Sequence, residues 1–257
     1  RPILFSADMV RALVEGRKTQ TRRLIKGVVM VAGHPYPYWP ATVHGGDFVR
    51  PEHCPHGQPG DLLWVREAYC LENEIEGNAP PHADGRPTQH NADAWAGDGE
   101  HAWVQPHYRA TDPEPELSYE YGTCARCEAG EPHAHWRPSI HMPRWVSRLT
   151  LRITDVYVQR VQEISQADAA AEGVQIPVNA ATGNPLLEIS SPYAPSRYLT
   201  PAQAQRYDPD PWLRAHFASL WDSLNDKRGA GWASNPWVWA LSFELHRANV
   251  DHMGAAP

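Results

Sequence analysis

Apolar residues recur at helical spacing in three short stretches of the chain and at alternate positions in four others. Met9, Val10, Leu13 and Val14 share one face of a predicted helix, with Ser6 as N-cap, Asp8 in the first turn and Gly16 ending the run. Ser165 caps a second helix over Gln166–Glu172, with Asp168 in a capping-box position and Gly173 as terminator. Asp210 caps a third, Pro211 lies in its first turn, and Leu213, Phe217, Leu220, Trp221 and Leu224 form its buried stripe.

The clearest strand pattern is at the C-terminal end, where Trp237, Trp239, Leu241, Phe243 and Leu245 alternate with smaller or polar residues. Asp61–Tyr69 and Leu149–Val161 also read as strands. In the latter Leu149, Leu151 and Ile153 point one way and Val156 and Val158 the other, which predicts a bulge or bend near Asp155. Thr19–Ile25 opens a further strand, in which Thr21 and Arg23 share a face. Lys18 has the opposite parity and joins them only through a turn or bulge. Two segments, about 71–138 and 176–209, lack periodicity and are rich in Pro, Gly, His and Asn, as insertions are. Strands outnumber helices and no βαβ alternation appears. The expected fold is therefore α+β: one domain over residues 1–257, built on a small mixed β-barrel with a few short helices and two long loop-rich insertions.

A chain of 257 residues with 42% hydrophobic content can bury one sizeable core. No run approaches the roughly 18 apolar residues of a membrane span, and no signal-peptide pattern opens the chain, so a cytoplasmic protein without membrane contact is expected. The net charge of -7 excludes a protein that coats nucleic acid through its global field, while leaving room for a local basic pocket. Cys54, Cys70, Cys124 and Cys127 do not form a secreted disulfide framework. Cys124 and Cys127, two residues apart and followed by His133 and His135, have the spacing of a compact structural zinc site; Cys54 and His56 compete for that role, and two reduced loop cysteines are the plainer alternative.

Chemistry concentrates at Gly16-Arg17-Lys18-Thr19-Gln20-Thr21-Arg22-Arg23, which sets an amine, two hydroxyls and three further cations beside a helix end. Such a cluster serves nucleic-acid contact or catalysis. Glu172 is the second anomaly. It sits in the last turn of its helix, where unsatisfied carbonyls disfavour a carboxylate by a few tenths to ~1 kcal/mol. Exposed, it is an ordinary helix-end glutamate; buried, it needs a cation, and burial suits it to acid-base work.

The pattern Gly16-Arg17-Lys18 followed by Thr21 and Arg23 resembles the signature of the ASCH domain family, small PUA-like β-barrels related to RNA-binding modules. Residues 2–26, 59–69, 136–174 and 212–245 look similar to ASCH-type proteins of tailed phages and prophages, Pro138-Ser139-Ile140-His141-Met142-Pro143-Arg144-Trp145 above all. Some bacterial ASCH proteins hydrolyse N4-acetylcytidine and related N4-acylated cytosines through a Lys, a Thr and a Glu. The resemblance places those roles on Lys18, Thr21 and Glu172. It implies no cofactor for catalysis and a modified cytidine as partner. The chain is about twice the length of those enzymes, and Arg66 and Glu67 set a charged pair beside the expected pocket as substrate-binding candidates, Glu67 also being suited to a structural ion pair with an arginine.

Amide hydrolysis by this set needs Lys18 as a neutral amine to deprotonate Thr21, with Arg17, Arg22 and Arg23 helping to lower its pKa. Glu172 then protonates or orients the exocyclic nitrogen or activates water, and Arg23 steadies the oxyanion or the base carbonyl. Direct attack by water activated at Glu172 is the alternative. Tyr69, Trp64, Trp145 and Trp237 are the stacking candidates closest to the motifs. The rival readings are a non-catalytic module for RNA or a modified base, and a ribonuclease using Lys18 with nearby histidines.

Overall fold

A computed structural model describes residues 1–32, 36–39, 46–76, 101–115, 134, 136–175 and 210–253. The candidate metal ligands Cys124, Cys127, His133 and His135 and the segment 176–209 lie outside them.

The described elements are, in order, β1 (Pro2–Leu4), α1 (Ala7–Val14), β2 (Gln20–Leu24), β3 (Tyr38–Trp39), β4 (Asp47–Phe48), β5 (Leu62–Arg66), β6 (Tyr69–Glu76), β7 (His101–Tyr108), β8 (Thr150–Arg160), α2 (Gln166–Ala171), α3 (Asp210–Asn225) and β9 (Trp237–His246), with short 3-10 turns between them. The fold is α+β. Five strands hydrogen-bond in the order β1-β5-β8-β9-β2. β1 runs parallel to β5, β2 antiparallel to β9, and β5 antiparallel to β8 through Val65 N–H to Leu149 O and Ile153 N–H to Asp61 O, both 2.9 Å. The expected barrel does not close, because β1 and β2 are edge strands among the described residues. β1 has three residues and begins with a proline, so it offers little ladder to a second neighbour.

The phase change in β8 is present: Thr154 and Asp155 are both exposed, and burial resumes at Val156, whose N–H bonds the Asp155 carboxylate at 2.8 Å. The first insertion holds more structure than its composition suggests, since β6 and β7 pair antiparallel from Tyr69↔Tyr108 to Glu76↔His101. Pro106 sits inside β7 opposite Leu71, and a proline in a strand pattern argues against the strand it occupies.

The chain divides into two compact units, each discontinuous in sequence. The first comprises Arg1–Arg11, Leu63–Thr150 and His246–Pro257. Ser6 opens its helix by accepting from Met9 N–H at 3.4 Å. Tyr69, Met142 and Val146 form a small core in this unit, against which Tyr108 and Trp145 pack. Asn249 ties the preceding turns by donating to the carbonyls of Arg144, Trp145 and Ser147 at 2.9, 3.1 and 2.6 Å.

The second unit comprises Ala12–Leu62 and Leu151–Leu245. Its core joins Val161, Ile164, Ala169, Phe217, Ala218, Trp221, Trp232 and Val238, with Leu24, Val174 and Leu213 at the margin. The stripe expected on α3 supplies Phe217 and Trp221, and Leu224 remains exposed at 47%. α2 packs on α3 and on β2, which brings the end of α2 to the start of the β2 segment.

Candidate active site

The site lies within the second unit and begins with two helix ends. At the end of α1, Gly16 takes φ +76°, and Arg17 N–H and Lys18 N–H both donate to Ala12 O, at 2.9 and 3.0 Å. That turn delivers Lys18 to an isolated antiparallel bridge with Glu172. α2 starts at Ser165, whose hydroxyl accepts from Asp168 N–H at 3.0 Å, and ends at Gly173 with φ +85°. A Cβ on Gly173 would lie 2.8 Å from Ala12 Cβ and 3.1 Å from Lys18 Cβ, so the close approach depends on glycine.

A helix C-terminus leaves carbonyls without intrahelical donors, and here the cationic motif supplies them. Thr19 N–H donates to Ala171 O at 2.7 Å, Lys18 Nζ to Glu172 O at 2.9 Å, and Arg17 Nη1 to Gly173 O at 2.9 Å. The motif is thus first of all the C-cap of α2. The positive charges offset the carbonyl dipoles that made Glu172 an anomaly.

The side chains then close a charge network. Lys18 Nζ donates to Glu172 Oε2 at 2.7 Å, and Arg22 Nη1 to Glu172 Oε1 at 3.1 Å. Arg22 Nη2 pairs with Asp168 Oδ2 at 3.3 Å, and the Gln159 amide, turned with its oxygen toward the guanidinium, accepts from Nη2 and Nε at 3.0 and 2.8 Å. Lys18, Arg22 and Glu172 are 1%, 5% and 5% exposed. Two cations, Lys18 and Arg22, thus meet two carboxylates, Glu172 and Asp168.

Burial lowers the Lys18 pKa below its usual 10.5; the Glu172 charge and hydrogen bond oppose this, and the charges of Arg23 and Arg22 reinforce it. Burial also lowers Arg23, against the pull of Glu172. Tyr157 is raised, chiefly by burial, and its coupling to Arg22, Asp168 and Glu172 places it electrostatically within the cluster. Buried cations can hold a developing oxyanion, and a lysine lowered from its usual value gives up its proton more readily than a free one.

Lys18, Arg23 and Glu172 therefore belong to one electrostatic group. The β2–β9 register runs without a bulge from Gln20↔Ser242 to Leu24↔Val238, so Thr21 and Arg23 share one face and Arg22 takes the other. Thr21 is buried, at 4% exposure. Lys18 and Arg22 meet on Glu172, and it is Arg22 that hydrogen-bonds the carboxylate. Arg22 shares its parity with Lys18, which puts the two on one side of the chain.

Arg66 and Glu67 lie in the first unit. The Arg66 guanidinium stacks 4.7 Å above the Trp64 ring and donates to Ile140 O at 3.2 Å. Glu67, 1% exposed, takes a bidentate pair from Arg148 Nε and Nη2, both 3.0 Å. Burial raises its pKa, against the hydrogen bonds and charge of Arg148. Cys54 and Cys70 are buried. Among the described residues no three His, Cys, Asp or Glu side chains are grouped to hold a metal, and no helix is long and apolar enough to cross a membrane.

The chain has no match among protein-family models, curated proteins or solved structures.

Proposed function

We propose that the protein is an amidohydrolase of the ASCH, PUA-like kind that removes the acyl group from N4-acylated cytosine nucleosides, giving cytidine and a carboxylate. The observation that supports this best is the buried Lys18–Glu172 pair, with Arg22 on the second carboxylate oxygen. In the proposed reaction Lys18, as the neutral amine, takes the Thr21 hydroxyl proton while the oxygen attacks the acyl carbon. The tetrahedral oxyanion is stabilised by the Lys18 ammonium formed in that step and by Arg23, whose charge is coupled to Lys18 and Glu172. Collapse breaks the carbon–nitrogen bond, and the proton held between Lys18 and Glu172 passes to the departing N4. Water then attacks the acyl-Thr21 ester: Glu172 or Lys18 takes a water proton and returns it to the Thr21 oxygen as the ester bond breaks, and the acid leaves as its carboxylate, its proton passing to solvent. Direct attack by water activated at Glu172 uses the same groups without the ester.

The saturation of Arg22 and the complete burial of Lys18 favour a second reading, in which the cluster is an ionic lock of a non-catalytic module for RNA or a modified base. Incubation with N4-acetylcytidine, followed by chromatography, separates the two. Release of cytidine and acetate in stoichiometric amounts supports the hydrolase; retention of single-stranded RNA without cytidine release supports the module. Cleavage of the RNA would replace both with a nuclease.

A further inference from the structure

Arg148, the partner of the buried Glu67, lines a cavity of about 250 Å³ in the first unit, together with Tyr108, Arg247, Asn249 and His252 among others. None of Lys18, Thr21, Arg22, Arg23 or Glu172 lines it. The space is smaller than the ~300–1,000 Å³ of sites that enclose drug-sized ligands, and it suits a small ion or a short ester of one. Among the described residues no carboxylate lines it, whereas two guanidinium groups do. The lining therefore favours an anion.

Two of the wall residues have spent their donors on the backbone. The Tyr108 hydroxyl donates to Val146 O at 2.7 Å, and Asn249 Nδ2 serves the carbonyls of Arg144, Trp145 and Ser147, which fixes the wall. Arg148 differs from them. Glu67 takes its Nε–H and one Nη2–H, both at 3.0 Å, and the Tyr108 ring covers the guanidinium at 3.9 Å, so the plane of the group is set. A guanidinium carries five N–H donors in that plane. Nη1 makes no hydrogen bond among the described residues, and the side chain remains 29% exposed. Its two protons and the second Nη2 proton form the end of the fork, where two parallel N–H groups match two oxygens of one anion. A carboxylate would be used up by that fork. A phosphate monoester has three terminal oxygens, which leaves one for Arg247 and His252 on the C-terminal segment.

We propose that this cavity binds the phosphate group of a small phosphomonoester, gripped by the outer end of the Arg148 fork, with Glu67 as the residue that positions the fork. The site stands independently of the hydrolase reading, since it uses none of the residues of that reaction. Calorimetric titration of the full chain with methyl phosphate, acetate and a single-stranded RNA oligonucleotide, at an ionic strength held constant with chloride, tests it. Methyl phosphate is expected to bind saturably and at least about ten-fold more tightly than acetate, because a charge-assisted hydrogen bond is lost with the third oxygen. Arg148→Lys, which keeps the charge and removes the fork, should weaken methyl phosphate by about ten-fold or more. Arg247 is exposed, so Arg247→Ala should leave the melting curve unchanged and weaken methyl phosphate by about three-fold or more, which carries the test if Arg148→Lys does not fold. Arg152→Gln, at an exposed arginine that does not line the cavity, should leave the affinity as it is. Absence of saturable binding, equal affinity for acetate, an Arg247→Ala variant that binds like the parent, or a loss of the same size in Arg152→Gln would each overturn the assignment. Retention of RNA without binding of methyl phosphate would overturn it too, in favour of a surface that contacts a nucleic-acid backbone.

Discussion

Each of the two units buries one glutamate against cations, and the two arrangements differ in balance. Glu67 in the first unit has one partner, Arg148, in a bidentate pair; the arginine side chain remains 29% exposed and lies 3.9 Å over the Tyr108 ring. The charges cancel and the geometry is complete, as in a structural ion pair. Glu172 in the second unit has Lys18 and Arg22 on its two oxygens and a lysine side chain with no exposed surface. A buried lysine on a carboxylate bears a desolvation cost that the partly exposed Arg148 does not. One carboxylate shared by two nearly inaccessible cations, with the lysine lowered by burial, sets this arrangement apart from the Glu67 pair.

The contrast breaks most directly through activity. Lys18→Ala and Glu172→Gln should each lower kcat for N4-acetylcytidine by roughly 10²–10⁴-fold, whereas Glu67→Gln should leave kcat within about three-fold, as expected for a residue outside the chemistry. Steady-state assays of the three variants check this, and equal losses would erase the distinction. Thr21→Ala belongs with the first group if an acyl-Thr21 ester forms; near-normal turnover would leave only the direct attack by water.

Stability should separate the pairs next. Glu172→Ala strands two nearly inaccessible cations and is expected to cost about 3–5 kcal/mol in urea unfolding. Glu67→Ala should cost about 1–3 kcal/mol, because the partly exposed Arg148 can recover water. Gly173→Ala forces a side chain into a left-handed conformation against Ala12 and Lys18, with an expected cost of about 1–3 kcal/mol. It should also disturb turnover, since Gly173 adjoins the Lys18–Glu172 bridge; an unchanged kcat would mean that the bridge tolerates displacement.

The smallest effects concern pH, and the two sites have opposite signs. Lys18 is lowered, so the unfolded chain binds more protons between the folded pKa and 10.5, and its contribution to stability rises with pH across that window. On the proposed mechanism kcat/KM rises with the neutral amine fraction as pH climbs through the folded pKa and levels off above it, a limb that Lys18→Arg should abolish. Glu67 is raised, so the folded chain binds more protons above 4.5, and its contribution is lost as pH climbs through the folded pKa. Urea titrations of the parent and of Glu67→Gln across that range should differ in slope; identical slopes would show that Glu67 does not titrate with folding.

Much of this was legible before any coordinates. The three helices and the principal strands follow from local spacing, and the β8 phase change appears where the parity of Leu149, Leu151, Ile153 and Val156 put it. Glu172 was conspicuous because a carboxylate at a helix C-terminus opposes the local dipole, a property of position alone. The β6–β7 pairing was hidden by Pro106. The partner of Glu67 was hidden because Arg148 lies far along the chain and no periodicity links them. Trp39 and Trp239, from a two-residue strand and the last long one, meet without any local signal.

By itself the sequence determined which segments turn, extend or coil, and which residues carry unusual charge, because backbone sterics and the alternation of buried and exposed positions act over a few residues. The tertiary structure alone decided that the sheet stays open and that Arg22 rather than Arg23 hydrogen-bonds Glu172. It also decided that the Gly16–Thr19 motif caps the end of α2. These outcomes depend on which distant groups share one buried volume, where each polar atom must find a partner among whatever the packing brings within reach.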